Sequence, residues 1–442
     1  MNTDPRETLS SSAMSGLQVA AVATTIGLNA LDGFDVLAIS FASPGIAAEW
    51  GIDRAQLGIV LSMELLGMAV GSVLLGGVAD KIGRRRIILG CLTVMAIGMF
   101  MVPMASGIAA LCVWRVITGL GIGGMVAAIN AVSAEFSNAK RRNLNVSLMA
   151  IGYPVGAVLG GLIAAQLLKQ HDWRAVFYFG AIVTTVFIPL VLVFVPESIA
   201  WLTQKQPAGA LDRINRTLRR MKHAAVDALP AISVEARKRS IGDIFTTEYA
   251  RTTILVTLAY FFHITTFYFL VKWVPKIVVD MGYAPSSAAG VLVWANVGGA
   301  LGGAILGLLT QRFGLKPLTM WVLIGSTVMV FAFGQGQTNL TQLAIICGSA
   351  CFFMNAGIVG LYAIFAQTFP THVRAFGTGF AIGFGRSGAV LAPVIAGFLF
   401  QANYSLELVA TIMALGSTLA AIMLFILKPQ ATRAVGSPAR GH

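Results

Sequence analysis

Charge is scarce in this sequence: lysine, arginine, aspartate and glutamate make up 11% of its 442 residues, less than half the roughly 25% of a soluble domain. So few charges cannot cover the surface of a water-soluble protein of this length, which excludes a soluble enzyme and a disordered chain. Cysteine is sparse as well. Cys91, Cys112, Cys347 and Cys351 all lie in apolar stretches. They have neither metal-ligand spacing nor the pattern of a secreted disulfide framework, so they read as small core residues. No Gly-Lys-Ser/Thr follows the glycine-rich stretches, so they form no nucleotide loop. The N-terminus lacks the basic start of a signal peptide, since Arg6 is its only basic residue and the first apolar run carries two aspartates. That run is expected to be retained as a helix. No nucleophile–base constellation or metal cluster appears, so no enzymatic activity is expected.

What is abundant is apolar: 57% of the residues are hydrophobic and the mean hydropathy is +0.80. Stretches long enough to cross a bilayer fall at about 17–41, 56–79, 87–106, 109–136, 145–168 and 174–195, then at 251–276, 285–310, 316–334, 340–368, 374–401 and 404–427. The fold class is therefore an all-α membrane protein of twelve transmembrane helices, with both termini on one side. If that side is the cytoplasm, inner segments hold 24 lysines and arginines and outer loops only Arg54, Lys169, Arg174 and Lys276. This asymmetry puts the termini inside. It also makes the +13 net charge a topology signal, which removes nucleic acid as a partner.

The one long polar interval, 196–250, divides the chain into an N-terminal six-helix half (1–195) and a C-terminal half with its tail (251–442). Within it Leu211, Ile214, Leu218 and Met221 recur at helical spacing among arginines, which predicts a basic amphipathic helix along the inner membrane surface. The halves repeat each other. Gly76-x-x-x-Asp80-Lys81-x-Gly83-Arg84-Arg85 after the second span is echoed by Gly307-x-x-x-Gln311-Arg312-x-Gly314 after the eighth. Phe136 and Arg141 map onto Phe369 and Arg374, and Gly152 onto Gly385, at nearly the same offset. Such duplication marks many transporter folds, whose substrate sits near the bilayer midplane between the repeats.

The Gly76–Arg85 segment resembles the loop signature of the major facilitator superfamily. Arg115-x-x-x-Gly119-x-Gly121-x-Gly123 resembles its fourth-helix signature, and Pro196-Glu197-Ser198-x-x-Trp201-Leu202 the sixth-helix ending of its sugar and organic-acid porters. Asp32-Gly33-Phe34-Asp35 is similar to the first helix of its aromatic acid:proton symporter family, the 4-hydroxybenzoate and benzoate type. The resemblance implies two pseudo-symmetric six-helix bundles in a bacterial inner membrane. It implies a monomer that imports a small aromatic acid with protons by alternating access, driven by the proton gradient without a cofactor.

Charged side chains within spans each need a reason, because one at the bilayer centre costs about 2.5–3.5 kcal/mol even on the lenient insertion scale. Asp32 and Asp35 share a face of the first helix, in its outer half. Arg115 lies at comparable depth and is expected to pair with one or both. An apolar cavity favours the protonated carboxyl group and a neighbouring guanidinium the ionised one, so the three are candidates for proton coupling; the alternative is a permanent salt bridge between helices. Arg386 lies near the midplane and is the candidate for a bidentate grip on the substrate carboxylate. His263, Tyr268, Trp273 and Tyr362, with Tyr260, Phe267 and Trp294, are candidates to line the ring site, and Asn130, Asn296 and Asn355 to bond ring hydroxyls. His263 reads equally as a satisfied core group. Lys272, near a helix end, is expected to snorkel, and the mid-span Glu64 has no assigned partner.

Gly76, Asp80, Gly83, Arg84 and Arg85 are expected to form a gate latch with Glu135 and with groups near Arg374. The latch would close when the inner ends of the halves meet. Gly67, Gly71, Gly119, Gly121, Gly123 and Gly124 are expected to let helices approach closely. Two other readings stand beside import of an aromatic acid. One is a proton-coupled antiporter exporting drugs or metabolites, disfavoured because Gly152-Tyr153-Pro154 in the fifth span contains no Gly-Pro. The other is a symporter of a non-aromatic organic acid.

Overall fold

A computed structural model describes residues 4–230, 245–246, 249–336, 339–369 and 374–427. A short α1 (Pro5–Ser11) precedes six spanning helices: α2 (Gly16–Trp50), α3 (Arg54–Ile82), α4 (Arg84–Met101), α5 (Ile108–Glu135), α6 (Arg142–Gln170) and α7 (Arg174–Phe194). The polar interval contributes α8 (Ile199–Lys205) and α9 (Ala210–Arg220). The second set comprises α10 (Ala250–Asp280), α11 (Pro285–Leu309), α12 (Leu315–Gly334) and α13 (Leu340–Thr368), then α14 (Arg374–Gly385) and α15 (Ser387–Gln401), which form one span, and α16 (Leu406–Ile426). Twelve of these segments, with α14 and α15 joined, are long and apolar enough to cross a membrane. Most span ends match the sequence reading within a few residues. The clear exception is α2, which continues to Trp50 rather than stopping near residue 41. Its Pro44 removes a backbone donor, and the hydroxyl of Ser43 donates instead to the freed carbonyl of Ser40 at 2.9 Å. Asp32 and Asp35 consequently lie at mid-helix and not in its outer half.

Local chemistry fixes the turns. Ser15 and Asp53 each form a capping box with the glutamine three residues on, Gln18 and Gln56. Gly51 ends α2 in the left-handed conformation at φ 59°. Gly83, at φ 105°, separates α3 from α4, and a Cβ there would strike the carboxyl group of Glu197. That carboxylate accepts from the backbone N–H of Arg84 at 2.8 Å and of Arg85 at 3.2 Å, filling the donors exposed at the N-terminus of α4.

The two sets pack by one plan. Helix α3 lies on α5 as α11 lies on α13, α2 on α6 as α10 on α15, and α4 on α7 as α12 on α16; between the sets α3 meets α15 and α11 meets α6. Glycines permit the closest of these approaches. A Cβ on Gly67, Gly119 or Gly123 would enter the backbone of the facing helix in the α3–α5 pair, and one on Gly156 would enter the backbone of Ala30 on α2.

The face carrying the 81–86 and 137–142 basic segments, α8 and α9 is called here the basic face, and the opposite one the far face. The apolar stripe of α9 is not free to face a membrane. Ile214, Leu218 and Met221 are fully buried in the core that also holds Trp201 and Leu202, so its apolar stripe packs on the protein and leaves the arginines outward.

The two halves touch near the far face and part toward the basic face. Along the α3–α15 contact Gly58 and Gly397 approach to Cα separations that leave no room for a Cβ, whereas Gly76 and Gly77 on α3, and Gly379 and Gly383 on α14, meet open space. Arg54 closes the far face by an ion pair to Asp280 at 3.3 Å, a backbone bond to Gln401 at 3.2 Å and a guanidinium 5.4 Å from the ring centroid of Phe400.

Candidate functional site

Two groups of side chains lie between the halves. The first is charged and fully buried. Asp32 and Asp35 on α2, Glu64 on α3, Arg115 on α5 and Lys272 on α10 are each 0% exposed. Arg115 pairs with Glu64 rather than with the aspartates as expected. It also donates to the backbone carbonyl of Asp35 at 3.2 Å, reaches Met99 Sδ at 3.4 Å, and lies 5.4 Å from the ring centroid of Phe177. The expected carboxylate pairing fails because α3 packs on α5 through Gly67 and Gly119, next to Glu64, bringing that residue nearer than anything on α2. Glu64, left without a partner by the sequence reading, is thus held by Arg115 and by Lys272, whose Nζ is 3.8 Å from Oε2. Lys272 does not snorkel: it is buried and donates to the carbonyl of Val36, across the boundary between the halves.

Neither carboxyl oxygen of Asp32 or of Asp35 has a hydrogen-bond partner among the described residues. Asp35 is within Coulombic reach of Arg115 and Glu64, and Asp32 of Asp35 and Glu64. Buried polar groups are nearly always bonded, and an uncompensated buried charge is costly. The pair is therefore built for a group that can shed its charge by taking a proton.

The second group surrounds Arg386, the residue that interrupts the eleventh span between α14 and α15. Its guanidinium lies within electrostatic reach of Tyr260 and Tyr268 on α10, Tyr362 on α13 and Tyr153 on α6. The hydroxyls of Tyr260 and Tyr362 are 3.0 Å apart with ring centroids at 5.6 Å, and Tyr153 lies close to Tyr268. Gly385 and Gly388 let this stretch sit directly on α10, since a Cβ at either would enter Tyr260 or the backbone of Phe261. Arg386, Tyr153 and Tyr268 are half-buried and Tyr362 is exposed, so the group borders the space between the halves. It offers a cation, aromatic faces and phenol hydroxyls together. Tyr153 and Tyr268 also adjoin the first group, each lying within reach of Glu64.

Several expected lining residues lie elsewhere. His263 is fully buried, its ring nitrogens bonded to the Ser417 hydroxyl at 2.9 Å and the Met354 carbonyl at 2.8 Å, which makes it the satisfied core group. Trp273 is buried with Nε1 on the carbonyl of Pro393 at 3.2 Å, cementing α10 to α15. Phe267 packs against the core, and Trp294 is 62% exposed in a groove between α11 and α13, away from Arg386. Asn130 and Asn296 donate to carbonyls of their own helices, Val126 and Leu292. Asn355 donates to Gly299 at 2.7 Å, joining α13 to α11. The four cysteines are free, and Cys112 alone is not fully buried.

The loop-signature charges form a network that does not depend on the halves meeting. Arg84 pairs with Asp80 at 2.6 Å and reaches Glu135 at 3.9 Å, all on the first half. Ser198 donates to Glu135 and Trp201 to the Asp80 carbonyl, and Arg85 donates to the carbonyl of Leu192 at 2.6 Å. These contacts fasten α3, α4 and α5 to the α7–α8 segment while the basic ends of the halves stand apart, so the Arg84–Glu135 pair is no signature of closure. Gly76 faces open space, and Arg374 opens α14 with its side chain outside the described residues.

Twelve spans in two like-packed sets, with charged groups enclosed between them, define a multi-pass membrane protein of the transporter class, not an enzyme. The family model described as Major Facilitator Superfamily matches residues 25–359 and 256–441, and the chain belongs to that superfamily. It is 30% identical over 417 residues to the 3-(3-hydroxy-phenyl)propionate transporter of Escherichia coli, covering 92% of this chain and 94% of that one. It is 28% identical over 405 residues to the 4-hydroxybenzoate transporter PcaK of Acinetobacter baylyi, covering 90% and 88%. Among solved structures, the xylose transporter XylE of E. coli in an inward-open conformation superposes with a TM-score of 0.69 at 20% identity, over 94% of this chain and 97% of that one.

Proposed function

We propose that this chain imports an aromatic carboxylate together with protons, by alternating access, with its basic face and termini in the cytoplasm of a bacterial inner membrane. The observation that carries the reading is the placement of Arg386 within reach of four tyrosines, one of which, Tyr153, also reaches the group of two buried aspartates that lack hydrogen-bond partners among the described residues. A guanidinium grips a carboxylate in bidentate fashion, tyrosine rings stack on an aromatic ring, and phenol hydroxyls suit a hydroxylated one. The names of the relatives, which are transporters of 4-hydroxybenzoate and of 3-(3-hydroxy-phenyl)propionate, support the same class of acid.

The acid enters from the far face when Arg54 and Asp280 separate, and its carboxylate docks on Arg386. A proton taken by Asp32 or Asp35 offsets the negative charge of the load. Closure of the far face and opening of the basic face deliver both to the cytoplasm, and the described conformation is the inward-open one. The proton gradient is the energy source, no cofactor takes part, and the monomer is the working unit.

The test is uptake of labelled 4-hydroxybenzoate into proteoliposomes under an imposed inward proton gradient, with and without an uncoupler. Accumulation that the uncoupler abolishes is expected. No uptake of any aromatic acid, with gradient-driven efflux of other compounds, would replace this reading by the exporter.

A further inference from the structure

The proton site described above leaves open why a lysine of the opposite half is buried beside it. We infer that Lys272 is the counter-ion that trades places with the transported proton, docking on the carboxyl cluster when the far face closes and leaving it when the far face opens. This rests on the proton-coupled reading and names the residue through which the proton acts on the motion of the halves.

Asp32, Asp35, Glu64 and Arg115 all belong to the first half, and Lys272 is the cation that the second half brings into contact with them. The other titratable groups facing the cluster are Tyr153 on α6, Tyr268 on α10 and Cys91 on α4. All three are neutral in their ordinary forms; α7 offers only Phe177 and Gly180. Three carboxyl groups opposed by Arg115 alone are neutral when two are protonated. Opposed by Arg115 and Lys272 they are neutral when one is.

A cluster with no exposed surface has to stay near neutrality, because uncompensated charge away from water is costly. Docking of Lys272 therefore expels one proton from an aspartic carboxyl group to water, leaving a carboxylate, and undocking lets one carboxylate take a proton from water. The contacts of Lys272 are with Val36 on α2 and Glu64 on α3, and the adjacent Trp273 is bonded to the Pro393 carbonyl on α15. They lie in the region where the halves close, so opening the far face withdraws the lysine with α10. The proton is then taken up from the far side and expelled to the basic side, one per cycle, which is the direction that import requires.

The experiment compares two activities in proteoliposomes: exchange of labelled for unlabelled 4-hydroxybenzoate without a gradient, and accumulation under an inward proton gradient. In Lys272→Gln the cluster holds the same number of protons in both states. Exchange should stay within about threefold of wild type, while accumulation above the external concentration is lost. Glu64→Gln/Lys272→Gln, which removes both members of the pair across the boundary, should behave alike, and Lys272→Arg should accumulate. Accumulation by either glutamine variant would overturn the inference. So would failure of both to yield monodisperse protein while Lys272→Arg folds, since the pair would then be purely structural. If wild type exchanges the acid but a proton gradient drives no accumulation, the symport reading itself falls.

Discussion

Replacing Arg54 by alanine tests whether the far face is held shut by the contacts described. Arg54 is 45% exposed at its side chain and Asp280 33%, so their ion pair contributes about 0.2–1 kcal/mol. The guanidinium over Phe400, at 5.4 Å, contributes about 0.5–1 kcal/mol at an exposed site. The backbone bond from Arg54 to Gln401 survives the substitution. The loss of about 0.7–2 kcal/mol falls on the closed state alone. At 1.4 kcal/mol per tenfold, it raises the ratio of open to closed far faces by about 3- to 25-fold. The reporter is Leu57→Cys: Leu57 lines the recess of about 730 Å³ beneath Arg54 and is 1% exposed. The background carries Cys112→Ala, which removes the one native cysteine that is not fully buried. A membrane-impermeant maleimide added from the far side reacts in proportion to the open fraction when opening and closing outpace labelling. Arg54→Ala should speed labelling by the same 3- to 25-fold. An unchanged or slower rate would refute the assignment of this cluster as the closure.

Three further outcomes follow from the geometry. Arg386→Lys keeps the charge but loses the bidentate grip, and should raise the apparent KM for 4-hydroxybenzoate by about tenfold, the equivalent of one charge-assisted bond; an unchanged KM would remove Arg386 from the carboxylate site. With the proton as the proposed co-substrate, uptake by wild type should fall as external pH rises, whereas Asp35→Asn should show flat, gradient-independent exchange. Full accumulation by Asp35→Asn would exclude that carboxyl group from the coupling. Gly156→Ala drives a Cβ into the backbone of Ala30 and should destabilise the protein by about 1–3 kcal/mol, seen as a lower melting midpoint in detergent. Gly290→Ala, which meets nothing within 4 Å, is the control, and an equal shift in both would show that the α2–α6 contact is looser than described.

The spans were legible because a bilayer imposes both length and apolarity, and the basic segments sorted the loops. The end of α2 was not, because Pro44 and Gly45 resemble a stop and the hydroxyl of Ser43 that rescues the freed carbonyl acts only in three dimensions. Arg386 stood out by its depth alone. The charge cluster was misread for a different reason. Glu64, Arg115 and Lys272 all lie within about ten residues of the far ends of their helices, at similar depths of about 10–15 Å at 1.5 Å per residue. That common depth was available as a signal, but the rotation of α3 and α10 that aims the side chains at one another is set by glycine packing. Tyr153 escaped notice because tyrosine beside a helical proline has no pattern of its own, and the displaced asparagines because their nearest acceptor is the backbone of their own or a neighbouring helix. Glu197 was visible as part of a motif, but that it seats Gly83 and the start of α4 shows only when a segment 113 residues away folds back.

Asp32, Asp35, Glu64 and Arg115 sit on one half of the molecule, and Arg386 with three of its four tyrosines on the other. On the proposed reading, recognition lies mainly on the second stretch of gene and the proton-holding groups on the first, with Lys272 the coupling residue that the second supplies. Substitutions that retune which ring is accepted can accumulate in the second half without touching the groups that hold protons. A lineage can then change its diet while keeping its engine, and hybrid chains that join the first half of one relative to the second half of another should take their selectivity mainly from the latter.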